Sequence, residues 1–186
     1  DPLTTPLPLQ VKYKKYIQTM LNNIILASTS KLRKYILVKN NIESIVEPSN
    51  VDEDIIKSSL LKENASPEII SKNLAELKAN KISAKIQDKI VLGADSVIDL
   101  DGELISKPES RQEAMEILRK LNGKMHFLIS SVCISKNGSM IWNYTDKATL
   151  TMKNFSETEL AEYLSKISDE NLYAYNVYQI EGEGRN

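Results

Sequence analysis

The sequence has one cysteine and one histidine in 186 residues. A single thiol, Cys133, excludes a disulfide framework within the chain and fits a reducing compartment. It lies in an apolar run and reads as a buried core residue. A single histidine, His126, excludes a histidine-rich metal site and leaves any Ser-His-Asp triad one candidate. No apolar run reaches the roughly twenty residues that a membrane span needs. The start, DPLTTPLPLQ, has neither the basic end nor the apolar core of a signal peptide. These absences predict a cytoplasmic protein that does not enter a membrane. The chain also opens without methionine, which reads as a trimmed or tagged start. Glycine is scarce, six in all, and no G-x-x-x-x-G-K run occurs, which excludes a P-loop. Basic and acidic residues nearly cancel, 24 against 25, for a formal net charge of −1. That excludes a generally basic nucleic-acid surface and leaves room for a local basic pocket.

What is present reads as one domain with a short N-terminal extension, residues 1–23 and 24–186. Tyr13, Tyr16, Ile17 and Met20 share one helical face within Leu9 to Met20, which predicts a partly helical extension. Ile24 to Ala27 is the first clear strand, followed by Ser28-Thr29-Ser30 and a helix from Lys31 to Lys39. A strand, a hydroxyl-rich turn and a helix start aim backbone N–H groups and the positive end of a helix dipole at one point. Ser28, Ser30 and the Arg33 fork suit phosphate oxygens there. Plain N-capping by Ser30 explains the same residues.

Ser66-Pro67 opens a further helix, with Ile70, Leu74 and Leu77 as its core stripe; Lys78 reads as a surface residue at its edge. Ile90-Val91-Leu92 is a buried strand that delivers Asp95 near its end. Asp101-Gly102 is a hairpin dipeptide, and the return strand ends on Lys107-Pro108. Such a hairpin would hold Asp95 near Lys107. An acid beside a lysine suits phosphate chemistry, although taken alone the pair reads first as a surface ion pair on a hairpin. Ser110-x-x-Glu113 and Ser156-x-x-Glu159 are capping boxes. Behind them, Ala114, Ile117, Leu118 and Leu121 form one buried stripe, and Leu160, Tyr163, Leu164 and Ile167 another. Phe127 to Ile134, Met140 to Tyr144 and Ala148 to Met152 read as strands, with Asn137-Gly138 as a turn.

Leu26-Ala27-Ser28-Thr29-Ser30-Lys31-Leu32-Arg33 resembles the L-A-S-x-S-P-R-R motif of the Maf family of nucleoside triphosphate pyrophosphatases. Val51-Asp52-Glu53 resembles its I-D-E segment, and Leu74-Ala75 with Lys78-Ala79 its L-A-x-x-K-A. Gly93-Ala94-Asp95-Ser96-Val97 resembles G-A-D-T-V, and Lys107-Pro108 follows Ser106 where the family has G-K-P. Asn122 to His126 resembles S-G-R-T-H, and Tyr178 to Gly184 the closing Y-x-I-Q/E-G-x-G. There are departures. Lys31 stands for proline and Leu32 for the first arginine, which removes a bidentate phosphate contact; Lys31 or Lys34 would restore charge without that geometry. Tyr173-Ala174-Tyr175-Asn176 stands where the family has D-K-A-G. The family also runs on past a point equivalent to Asn186, so a shortened C-terminal end is expected.

The resemblance implies an α/β fold of the Maf/ITPase-like kind: a mixed, elongated β-sheet flanked by helices, with two lobes around a cleft. It implies hydrolysis of a nucleoside triphosphate to the monophosphate and pyrophosphate, as house-cleaning of the nucleotide pool. Ser28, Ser30, Arg33, Lys78 and Lys107 would bind the phosphates, and Glu181 would shape the base pocket or the metal site. Glu53 and Asp95 would hold Mg²⁺ or Mn²⁺, with Asp95 activating water. His126 would have an ordering or substrate-side role, or be a satisfied structural histidine. The resemblance further implies a homodimer, and pyrimidine triphosphates or 7-methyl-GTP as substrates in different branches. A second hypothesis is a catalytically weakened nucleotide-binding regulator linked to cell division. A nucleic-acid-binding module is disfavoured by the near-neutral charge.

Overall fold

The computed structural model describes residues 24–178. The expected helix over Leu9 to Met20 and the motif residue Glu181 lie outside the described residues. Strand β1 (Ile24–Leu26) is followed by helix α1 (Lys31–Lys39), β2 (Ser44–Val46), α2 (Glu53–Lys62) and α3 (Pro67–Lys85). Then come β3 (Val91–Leu100), β4 (Glu103–Ile105), α4 (Arg111–Leu121), β5 (Met125–Lys136) and β6 (Ser139–Thr151), and finally α5 (Glu157–Lys166) and α6 (Asp169–Tyr175). The fold is α/β; among the described residues the sheet has six strands, in the order β2-β1-β3-β5-β6 with β4 also paired to β3. β1 runs parallel to both β2 and β3, whereas β3 and β4 are antiparallel, so the sheet is mixed.

The chain divides into two compact units. The first holds the described residues up to 52 with 75–94 and 132–143. Its core is small: Ile25, Ala27, Ile82 and Val91 in one cluster, Ala75, Ala79 and Cys133 in another. The second holds 53–74, 95–131 and the described residues from 144 onward. It carries the larger core, where Ala114, Ile117, Leu118 and Leu121 of α4 join Leu160 and Leu164 of α5 and Leu172 of α6.

Local chemistry explains most boundaries. Ser30, Ser110, Ser156 and Ser168 each cap a helix, their hydroxyls accepting a backbone N–H three residues on. Ser156 and Glu159 form the complete reciprocal box. At α4 the box is half made, because Glu113 takes the N–H of Glu109 at 2.8 Å. Asp101-Gly102 and Asn137-Gly138 hold positive φ, as two-residue hairpin turns require.

Three expectations need correction. The two strands expected within Met140 to Met152 are one continuous strand, β6. The strand after Gly102 ends at Ile105, two residues before Lys107. In α3 the buried face is not the expected Ile70-Leu74-Leu77 stripe, for Leu77 is 40% exposed. The buried rows run at i, i+4 spacing: Ile70, Leu74, Lys78 and Ile82, beside Ser71, Ala75, Ala79 and Ser83. Elements β2, α2 and α6 lacked a strong sequence signal. Helix α2 buries no residue, so no apolar stripe marks it.

Candidate active site

In the first unit the β1–α1 turn brings Ser28, Ser30 and Arg33 together. Ser30 caps α1, its Oγ accepting the N–H of Arg33 at 3.3 Å. Ser28 is buried, and its Oγ accepts from the Ser30 N–H and from Arg33 Nη1, both at 3.2 Å. The guanidinium is thus folded over the turn at the positive end of a nine-residue helix. Both readings of these residues hold together: Ser30 caps, while Ser28 and Arg33 present donors suited to an anion. Lys34 Nζ donates to the Ser44 carbonyl of β2, so it is tied to the sheet edge.

Lys78 was expected at the surface, yet it is only 6% exposed. The reason is its row: it continues Ile70 and Leu74 along the inward side of α3. A buried ammonium is costly unless anionic or polar oxygens surround it, so this lysine is set apart from the exposed ones. Gly93 explains itself by contact. A Cβ there would meet the Ala79 nitrogen at 2.7 Å and the Ala75 carbonyl oxygen more closely still. Only glycine lets α3 lie that near β3.

In the second unit Asp95 is 5% exposed. The Ser71 hydroxyl of α3 donates to its backbone carbonyl at 3.2 Å, which fixes the strand at that residue. The β3–β4 ladder pairs Ile98 with Ile105 and stops there. Lys107 is therefore two residues beyond the last pair and exposed, and Asp95 three residues before it on the other strand. Glu53 opens α2, half-buried, with Lys57 Nζ 3.6 Å from its carboxylate one turn on. A carboxylate in the first turn suits the helix dipole.

His126 is buried at 2% exposure. Its Nε2 lies 2.7 Å from the Tyr178 hydroxyl, and its Nδ1 faces the Lys124 carbonyl at 3.4 Å. A carbonyl can only accept, so Nδ1 carries the proton and Nε2 accepts from the tyrosine. Burial lowers the histidine pKa from its usual 6.5, against a smaller opposing effect of the Lys124 carbonyl. Burial likewise pushes the Tyr178 phenol up to about 12. The imidazole is thus a satisfied neutral group.

The donor chemistry can be tested against a divalent cation. Glu53 and Asp95 offer carboxylate oxygens alone, a set that suits Mg²⁺ or Mn²⁺ over Zn²⁺. Asp95 is a buried carboxylate, which a cation stabilises. Among the described residues, no three or more His, Cys, Asp and Glu side chains gather into a complete cage.

A model of the Maf-like protein family matches residues 23–186. The chain belongs to the Maf family. A nucleoside triphosphate pyrophosphatase of Pelagibacter ubique is 71% identical over 167 residues, which cover 90% of this chain and 86% of the relative. A 7-methyl-GTP pyrophosphatase of Rhizobium etli is 31% identical over 165 residues, 89% of this chain and 83% of that one. Among solved structures, the Staphylococcus aureus Ham1 protein aligns with a TM-score of 0.43 at 17% identity, over 69% of each chain. In this Maf chain, Ser28, Ser30, Arg33 and Lys78 belong to the first unit, and Glu53, Asp95 and Lys107 to the second. Sequence reading singled out all of these and missed the burial of Lys78.

Proposed function

We propose that this chain hydrolyses nucleoside triphosphates between the α- and β-phosphates, giving a monophosphate and pyrophosphate. The membership in the Maf family and the names of the relatives support the reaction class. The observation that carries the reading in this molecule is the burial of Asp95, a carboxylate at 5% exposure on a strand behind a glycine that admits no side chain. A carboxylate held out of bulk water suits contact with a cation or an attacking water, either of which serves this reaction.

Ser28, Ser30, Arg33, Lys78 and Lys107 bind the triphosphate oxygens and offset their charge as the bond to the bridging oxygen breaks. Asp95 orients the attacking water and takes its proton. The water oxygen bonds to the α-phosphorus, and pyrophosphate departs with the electron pair of the cleaved P–O bond. A divalent cation, Mg²⁺ or Mn²⁺, held by Glu53 and Asp95, supplies further charge neutralisation when bound. Glu181 shapes the base pocket or the metal site. The relatives' names span general nucleoside triphosphates and 7-methyl-GTP, so the role inferred is removal of unwanted nucleotides. We further infer a cytoplasmic homodimer that does not bind nucleic acid; the near-zero net charge supports the last point.

The test is pyrophosphate release from a panel of natural and modified nucleoside triphosphates with Mg²⁺ and with Mn²⁺. Asp95→Asn is expected to keep nucleotide affinity within about threefold while turnover falls by about 10²-fold or more. Unchanged turnover in that variant removes Asp95 from the mechanism. Chelation is expected to stop turnover, and added Mg²⁺ or Mn²⁺ to restore it. A second reading, a nucleotide-binding regulator with weakened catalysis, is favoured by one observation. Leu32 replaces the first motif arginine, and Lys34 is bound to Ser44 rather than standing in for it. Nucleotide binding without any pyrophosphate release would place that reading first.

A further inference from the structure

Residues 176–178 carry three side-chain tethers, all within the second unit. Asn176 follows α6 with φ 73° and ψ −169°, a conformation that is costly for any residue but glycine. Its side chain is engaged twice. Oδ1 accepts the Val177 N–H at 2.8 Å, and Nδ2 donates to the Ser106 carbonyl at 3.3 Å. Val177 is fully buried, and its carbonyl accepts from the Tyr163 hydroxyl of α5 at 3.1 Å. The Tyr178 hydroxyl donates to His126 Nε2 at 2.7 Å, with the two rings tilted at 59°. None of these side chains belongs to the phosphate-binding or acidic set. Two of them adjoin it along the chain: Ser106 precedes Lys107, and Tyr178 stands three residues before Glu181.

We propose that Asn176, Tyr163 and His126 are positioning residues: a three-point clamp on residues 176–178 that, through the Ser106 carbonyl, sets Lys107 for the nucleotide. This rests on the reading above, because positioning Lys107 matters only if it meets a nucleotide. The physical case is the backbone strain at Asn176. A strained residue persists where its surroundings over-determine it, and here the determinants reach the Lys107 turn on one side and a buried histidine on the other. The Tyr178–His126 bond is part-buried, and the buried imidazole would lose a partner without it.

Two variants separate positioning from mere stability. Tyr178→Phe removes one oxygen and keeps the ring. Asn176→Gly relieves the strain and removes only the amide tethers, so it keeps the fold even if the first does not. Each is expected to raise KM for the preferred triphosphate by about threefold to tenfold with kcat within about twofold. His126→Gln, which retains an acceptor for the tyrosine, is expected to lie nearer wild type than His126→Leu. An unchanged KM for Asn176→Gly, measured well below its unfolding temperature, overturns the clamp. A wild-type protein that releases no pyrophosphate overturns the proposed activity instead. The clamp is then read from the Kd of an α,β-methylene nucleoside triphosphate with Mg²⁺, where the same weakening upholds it and an unchanged Kd overturns it. Absence of any nucleotide binding by wild type overturns both.

Discussion

At the scale of single residues, burial decides what each polar group can do. Asp95, Lys78 and His126 are all buried, and the three are handled differently. The histidine has a hydroxyl donor on one ring nitrogen and a carbonyl acceptor on the other, so it stays neutral. This has a pH consequence whose sign follows from the direction of its shift. Its native pKa is lowered by burial below the usual 6.5. The unfolded chain therefore takes up a proton near that value while the native chain resists, so its contribution is full above it. Stability from this group is lost as pH falls below 6.5 through the lowered native value. Urea unfolding at about pH 7.5 and about pH 5.5 is expected to show a larger loss in wild type than in His126→Gln, which has no imidazole to charge. Equal losses would mean that the native imidazole takes up its proton as readily as the unfolded one.

At the scale of elements, a serine opens one helix after another, and the caps repay separate tests. Ser156 is held from both sides: its hydroxyl accepts the Glu159 N–H at 3.3 Å, and the Glu159 carboxylate accepts the Ser156 N–H at 2.7 Å. The N–H of Ser156, with a smaller effect of its hydroxyl, holds the Glu159 carboxyl below its usual range. Ser156→Ala is expected to lower the unfolding free energy by about 1 kcal/mol, read from the midpoint of urea unfolding. The far end of α5 is closed from α4, where Arg111 donates to the carbonyls of Leu164 and Ile167 at 2.9 and 2.8 Å and pairs with Asp169 at 2.8 Å. Helix α4 therefore contributes both an apolar stripe and a C-terminal cap to its neighbour. The hairpin at Asp101-Gly102 is likewise reinforced, because Asp99 Oδ1 accepts the Gly102 N–H at 2.7 Å.

At the scale of the whole molecule, the two units differ in how much apolar side chain they bury, and the second holds the larger cluster. Leu118 sits in that cluster at 1% exposure. Leu118→Ala is expected to cost about 2–5 kcal/mol, whereas Ile55→Ala on the outer face of α2 should stay within about 0.5 kcal/mol. A urea series on the two variants checks the contrast. Much of this was legible beforehand. The stripes of α4 and α5, the serine caps, the Asp-Gly and Asn-Gly turns and the β1-turn-α1 arrangement are local patterns, and local patterns survive folding. They follow from side-chain periodicity and from hydrogen bonds made within three or four residues. The ordered motifs also placed the chain in its family. Tertiary structure alone decided that Lys78 is buried, that Leu77 is not, and that Asn176 reaches Ser106 and Tyr178 reaches His126. These depend on which face of a helix meets another element, and on contacts between residues 70 and 52 positions apart in sequence. No window of local sequence carries that information, because it arises only when the chain closes on itself.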